Sequence, residues 1–382
     1  MERKVFNRRA CVGMLKTDFH DHFLFRVKLD ELKKLATSAG YEVVEEVVQA
    51  KKPSSSTLFG RGKVQEIKEL MKSQDIDNFI VYNRLSSIQF LNLSKELEAN
   101  VMDRYDLTLE IFELNASDSL SLLQIKLARM RKEIPLRKVM VSKKYKEEHA
   151  SLMSGGEYAM HSILKSYTKR EASIKREIDH MLQEKKMQVT KRKMEGAKIV
   201  TIGGYYNSGK TTLFNRLTGA DKPVSETPFT TLSAKYKKWL ENENVLFVDT
   251  IGFVIDLDPR LLTSFEINLI DFQYADLLLF LVPANEPPEI VALKISEGLK
   301  VLETIPVQRQ KITVVLNKID DTNSENLEQV LEITRDMLGS ENENRIIPIS
   351  AKTGKNLDAL TKHITEKLFT QNNTQNKTIR RK

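Results

Sequence analysis

KIVTIGGYYNSGKTTLFNRLTG, residues 198–219, sets an apolar, β-branched run against a glycine-bounded loop and then a helical pattern. Within it Gly204, Gly209, Lys210 and Thr211 satisfy G-x-x-x-x-G-K-[ST], with Tyr205, Tyr206, Asn207 and Ser208 as the intervening residues. A strand before and a helix after give this spacing its meaning. The glycines let the backbone curl until its N–H groups converge on phosphate oxygens, and the helix start adds its partial positive charge. Lys210 is expected on the β- and γ-phosphates and the Thr211 hydroxyl on Mg²⁺, with Thr212 completing the binding stretch. The competing reading, a chance match in a flexible loop, is disfavoured by the strand–helix setting.

Three further segments follow in the order such a loop requires. Asp249, Thr250, Ile251 and Gly252 come after the strand-like NVLFV. A carboxylate there can hold a Mg²⁺-bound water, and Gly252 can present its N–H to a γ-phosphate. Asn317, Lys318, Ile319 and Asp320 follow ITVVL. Asp320 can accept two hydrogen bonds from N1–H and the 2-amino group of guanine. Adenine has neither donor, so the mismatch strands a carboxylate and discriminates against it. Lys318 is expected to lay its stem on the base and Asn317 to tie this loop to the phosphate loop. Ser350, Ala351 and Lys352 follow RIIPI and offer a backbone N–H to guanine O6. Four motifs, each at a strand end, predict a domain that binds and hydrolyses GTP.

Between the first two motifs lie Phe229, Thr230, Thr231, Leu232 and Ser233. One threonine here is expected to close over Mg²⁺ and the γ-phosphate; Thr231 is the choice and Thr230 the alternative. The expected catalytic set is therefore Lys210, Thr231 and Gly252. The expected metal ligands are Thr211 and Thr231, with Asp249 acting through water. The residue after Gly252 is Phe253, where many GTPases place a water-orienting glutamine. Slow intrinsic hydrolysis follows, unless Phe253 simply packs in the core while another group orients the water.

The 382 residues allow two or three domains, with ordinary apolar content of 41%. No apolar run approaches the ~20 residues of a membrane span. The single cysteine, Cys11, excludes an intrachain disulfide. With no signal-peptide core in residues 1–13, a cytosolic protein is expected. Net charge is +8, yet residues 126–198 hold 20 Lys and Arg against 9 Asp and Glu, which is +11. That block is the footprint of a polyanion partner or, more blandly, a solvated helix face.

The expected fold class is α/β throughout. Residues 1–118 read as a small α/β domain with strands ACVGML, YEVVEEVVQA and NFIVYN and helices DELKKLATSAG and KVQEIKELMKSQ. Thr57 to Lys63, TLFGRGK, sets two glycines beside two cations and reads on sequence alone as only a flexible turn, with proximity to a phosphate left open. Residues 119–196 read as a basic helical hairpin. Its first helix carries an apolar seam at Leu120, Leu123, Leu127, Met130 and Ile134, interrupted by Pro135. Its second, from about Glu157 to Glu195, repeats Tyr167, Ile174 and Met181 every seven residues. Residues 197–370 read as a Ras-like, doubly wound P-loop domain, and 371–382 as a disordered basic tail.

With these residues in view, the chain resembles the HflX family of GTPases over nearly its whole length. GYYNSGKTTLFNRLTG, PFTTL, DTIGF and NKID carry the resemblance in the nucleotide domain. SAGYEVVEEVVQAKK, TLFGRGKVQEI, VMDRYDLTLEIF and LLQIKLARM carry it outside, and they are the more specific set. The resemblance implies Mg²⁺-dependent GTP hydrolysis stimulated by the ribosome, with a monomer bound to the large ribosomal subunit and its rRNA, in splitting or rescue under stress. Two alternatives stay open: a large-subunit assembly GTPase, and an RNA-binding module in which GTP is only structural. Two positions depart from the family pattern. SGGE, residues 154–157, stands where a longer glycine-rich segment is usual, and Pro283 stands where an Asp is usual.

Overall fold

The computed structural model describes residues 8–18, 22–148, 155–221, 235–256, 258–264, 266–305, 307–339 and 345–370. Two compact units, Met1–Met181 and Leu182–Lys382, divide the chain. Among the described residues no helix is long and apolar enough to cross a membrane.

The first unit opens with four parallel strands: β1 (Arg8–Lys16), β2 (Tyr41–Ala50), β3 (Asn78–Val81) and β4 (Asn100–Asp103), in the order β2-β1-β3-β4. Helices α1 (His22–Ser38), α2 (Arg61–Ser73), α3 (Ser87–Leu97) and α4 (Arg104–Asn115) alternate with them. From Ala10 onward β1 is buried at every residue, as a strand covered on both faces must be, which explains its unbroken apolar run. Cys11, Leu15, Phe59, Phe79, Leu93 and Val101 share one core. Burial pushes the Cys11 thiol up to about 12, which leaves it unreactive at neutral pH. Only Thr57 to Gly60 forms a turn, with the Gly60 N–H donating to Gln49 Oε1 at 2.9 Å, whereas Arg61, Gly62 and Lys63 already belong to the first turn of α2.

Two long helices follow, α5 (Ser119–Glu148) and α6 (Gly155–Met194). The expected interruption at Pro135 does not occur, because α5 runs through it. Proline removes one N–H and crowds the preceding turn, at about 3 kcal/mol. Tertiary packing of Ile125, Leu127, Ala128 and Met130, all buried, offsets that cost over the preceding turns. Across to α6, the Arg131 guanidinium, one turn before the proline, pairs with Glu171 at 3.1 Å, and after the proline the Arg137 guanidinium lies 4.6 Å from the Tyr167 ring centroid. On α6, Ile174 and Ile178 are buried and Tyr167 and Met181 half-buried, in the expected seven-residue seam.

In the second unit a six-stranded sheet runs β10-β9-β8-β5-β7-β6. Its strands are β5 (Lys198–Gly204), β6 (Lys235–Lys238), β7 (Val245–Asp249), β8 (Leu277–Pro283), β9 (Ile312–Asn317) and β10 (Ile346–Pro348). All neighbours pair in parallel except β6, an antiparallel edge strand that sequence periodicity did not reveal. Helices α7 (Lys210–Thr218), α8 (Pro259–Ser264), α9 (Glu266–Gln273), α10 (Pro288–Thr304), α11 (Ser324–Leu338) and α12 (Leu357–Thr365) connect the strands or follow the last. In such a sheet ligands sit beyond the carboxyl ends of the strands, where the order of connection reverses.

The last turns of α6 belong to this unit, and one face of them is fastened down. Lys185 Nζ donates to Asp271 Oδ2 at 2.7 Å, and the Tyr236 hydroxyl donates to Asp271 Oδ1. Arg192 lies 4.3 Å over the Tyr236 ring, and Lys193 pairs with Asp276 at 3.0 Å. Val189 packs on Ile199 and Val248 between these polar contacts. Positions 185, 189, 192 and 193 form a single stripe at helical spacing. Tyr236 lies on β6 beside the strand that ends in Asp249, whereas Asp271 lies on α9.

Candidate functional site

The loop between β5 and α7 is built by glycine at two places where no other residue fits. Gly204 has φ +133°, and a Cβ there would lie 2.1 Å from the Leu281 carbonyl oxygen. Gly209 has φ +89°, and a Cβ there would lie 2.2 Å from Asn317 Nδ2. Both conformations are strained for L side chains. Between them the Tyr205 ring turns inward and is fully buried, at T-shaped distances of 6.4 Å from Phe253 and 6.5 Å from Phe280. Tyr205 therefore offers this loop its backbone only, and its carbonyl accepts from Lys210 Nζ at 2.6 Å. Ser208 is buried, and Asn207 takes a left-handed φ of +53°.

Lys210, Thr211 and Thr212 open α7, where unpaired N–H groups and the helix dipole favour an anion. Burial pushes the Lys210 ammonium down to about 8, opposed by the Asp249 charge. The Thr211 hydroxyl lies 3.4 Å from Asp249 Oδ2 at the end of β7. Thr250 is buried with its hydroxyl on the Ile202 carbonyl at 2.8 Å, a core role. Ile251 and Gly252 are also buried. A Cβ on Gly252 would lie 3.1 Å from both Lys210 Nζ and the Tyr206 backbone, so the DTIG turn sits against the phosphate-type loop. Backbone bonds seal this contact: Phe253 N donates to Gly204 O at 2.9 Å and Tyr206 N to Phe253 O at 3.0 Å.

The Phe253 ring is 1% exposed and stacks on Phe272 at 5.9 Å, with Phe280 at 6.1 Å. It is a core residue, as the blander of the two sequence readings held.

Asn317 joins the remaining pieces. Its Nδ2 donates to the Ser208 carbonyl at 2.7 Å and its Oδ1 accepts from Ala351 N at 2.9 Å. Lys318, at φ +69°, reaches Asn207 Oδ1 at 3.3 Å. Ile319 is buried and Asp320 exposed at the end of that turn. Ser350 is buried, its hydroxyl accepting from Thr353 N at 3.0 Å, and Lys352 is exposed. Pro283, where the family pattern has Asp, ends β8 opposite Asn317 in register. Phe229, Thr230, Thr231, Leu232 and Ser233 lie outside the described residues.

One contributor escaped the sequence reading. Arg216 of α7 donates to the carbonyls of Ala351, Lys352 and Thr353 at 3.3, 2.8 and 3.2 Å. It clamps the 350–353 loop to the helix that starts at Lys210. Nothing in NRLTG distinguishes this arginine from a solvated one, because its partners are backbone carbonyls far along the chain.

Residues 26–113 match the family model for the GTP-binding GTPase N-terminal region, and residues 199–318 match the 50S ribosome-binding GTPase model. The GTPase HflX of Hyperthermus butylicus is 35% identical over 341 residues, covering 87% of this chain and 90% of that protein. The GTPase HflX of Thermofilum pendens is 33% identical, covering 89% and 80%. A solved structure described as a complex of SsGBP with GDP superposes with a TM-score of 0.54 at 26% identity, covering 95% of this chain and 99% of that one. With strand-end motifs lashed together by Asn317 and relatives matching along both units, the chain belongs to the HflX family of GTPases and is an enzyme that binds and hydrolyses GTP.

Proposed function

We propose that this GTPase works on the large ribosomal subunit, in splitting or rescuing ribosomes under stress, as a monomer in the cytoplasm. The observation that supports the nucleotide part is the Asn317 bridge, which ties Ser208 of the 204–212 loop to Asn317 and Ala351; on it we assign residues 204–212, 317–320 and 350–352 to the nucleotide. In this reading Lys210 leaves the Tyr205 carbonyl for the β- and γ-phosphates. Asp320 and Ala351 N read the guanine edge, while the Lys318 stem covers its face. Thr231 and Gly252 are drawn onto the γ-phosphate in the GTP state.

The residues fit Mg²⁺. Thr211 and Asp249 offer hard oxygen donors side by side at the mouth of the loop, and Mg²⁺ prefers one or two protein oxygens completed by phosphates and water. Among the described residues there is no cluster of three or more His, Cys, Asp or Glu that would hold a metal without nucleotide. When bound, the ion would supply charge neutralisation to the phosphates. With Phe253 in the core, another group orients the water; we assign that role to one the partner supplies or arranges, which makes hydrolysis dependent on that partner.

The partner assignment draws on the description of the matching 50S ribosome-binding family and on the +11 charge of residues 126–198. We assign residues 1–118, 119–196 and 197–370 as α/β domain, basic hairpin and G domain, with 371–382 as a basic tail. Co-sedimentation tests the reading: more protein should travel with large subunits in a non-hydrolysable GTP analogue than in GDP. Equal binding in both would overturn it. Preference for immature particles would favour an assembly role, and full function in Lys210→Ala would favour a purely structural GTP.

A further inference from the structure

Within the first unit, residues of α4, α5 and α6 line a cleft of about 380 Å³. This lies at the small end of ligand-pocket sizes, generous for one planar ring system and too small for a folded partner. Its apolar lining comes from Ile125 and Met130, both buried, and from Leu122, which is 47% exposed although it is large and aliphatic. Tyr167 adds the face or edge of a half-buried ring, with the Arg137 guanidinium 4.6 Å from its centroid. Aromatic and guanidinium planes together are the surface on which nucleic-acid bases stack.

The charges on the rim are arranged unequally. Its two acids are already engaged: Glu113 accepts from Arg129, and Glu133 accepts from Arg137 at 3.3 Å. Its other two cations, Lys126 and Arg170, are exposed and form no ion pair among the described residues. An apolar hollow whose lining holds one aromatic ring and two uncommitted cations offers a base a ring to stack on and its neighbouring phosphates two charges. Six of its nine lining residues, Lys126, Arg129, Met130, Glu133, Tyr167 and Arg170, belong to the basic stretch of residues 126–198.

We infer that this cleft is a binding site for a single unstacked base of single-stranded RNA, held by Tyr167, with the neighbouring phosphates on Lys126 and Arg170. The inference rests on the RNA-bound reading given above and specifies a contact within it. An acidic peptide would satisfy the two cations but has no need of the ring, so Tyr167 separates the occupants.

The test titrates the full chain with short single-stranded RNAs carrying one 2-aminopurine, following its fluorescence. Stacking should quench the probe. Tyr167→Leu should weaken binding by about tenfold and abolish the quenching, while Tyr167→Phe should keep both. Lys126→Ala with Arg170→Ala should lower the slope of log affinity against log salt by about 1.4, the value for two phosphate contacts on a single strand. The inference is overturned if Tyr167→Leu, melting like the wild type, binds RNA unchanged, if no sequence is quenched, or if an acidic peptide competes equally in wild type and Tyr167→Leu. Sedimentation of the wild type with large subunits is read separately. Its failure would sink the ribosome reading, and the oligonucleotide titration would still decide the cleft.

Discussion

Asn317 Nδ2 donates to the Ser208 carbonyl at 2.7 Å across a separation of 109 residues, and both residues are buried. One side-chain amide thus holds the phosphate-type loop at the end of β5 to the loop that follows β9. Asn317→Ala removes this bond and the one from Ala351 N, leaving two buried backbone groups unsatisfied at about 1–3 kcal/mol each. Calorimetric titration should show GDP affinity reduced by one to two orders of magnitude, with a lower melting temperature. Unchanged affinity would mean that the two loops hold their places without Asn317.

Lys210 titrates where its environment can be read. Burial pushes it down to about 8, so its protonated form costs stability below that pH, and the cost fades as pH rises toward the ordinary lysine value. Lys210→Met should therefore raise the melting temperature at pH 7, with a gain that shrinks between pH 8 and 10. Phosphate favours the charged form, so GDP affinity of the wild type should fall over the same interval. A variant with the same pH slope as the wild type would contradict this.

Phe253 occupies the water-orienting position of other GTPases, but its ring is packed among Phe272, Phe280 and Tyr205. Phe253→Ala should cost about 3–5 kcal/mol in chemical denaturation. Phe253→Gln should destabilise as well without raising the single-turnover hydrolysis rate. A faster rate in the glutamine variant would show that the position can reach the reacting water.

The Lys185–Asp271 pair sits with its carboxylate fully buried and shared with Tyr236. Lys185→Met should destabilise on the order of 3 kcal/mol, because it strands most of that charge. Adding Asp271→Leu should recover most of the loss. If the single variant costs nothing, the end of α6 is held by Val189 and Lys193 alone.

The sheet of the second unit was legible because its interior strands are unbroken apolar runs, NVLFV, LLLFLV and ITVVLN, the first leading into Asp249 and the last ending at Asn317. Edge strand β6, KYKK, carries no such run, since an edge faces solvent and its pairing is made by the backbone. Strand β4 and helix α4 are short and buried on several sides, so their periodicity is weak; they entered the sequence reading only as a resemblance. α1 begins at His22, well before the segment read as helical, because its first turns are only partly buried and lack a contrasting polar face. Pro135 misled for a different reason: packing before it and cross-helix pairing after it outweigh the local propensity. At the site, the glycines and Lys210 were readable because phosphate chemistry dictates their spacing, and Asp249 and Asn317 because each closes an apolar strand. Arg216 was not, because its role depends on three carbonyls that only the folded chain brings near.

The most direct test measures GTP hydrolysis by the purified protein alone and with intact large ribosomal subunits, with ATP in parallel. Slow turnover alone, strong stimulation by the subunits and a marked preference for GTP are expected. A rate that ribosomes leave unchanged would contradict this expectation and assign the basic hairpin to another RNA.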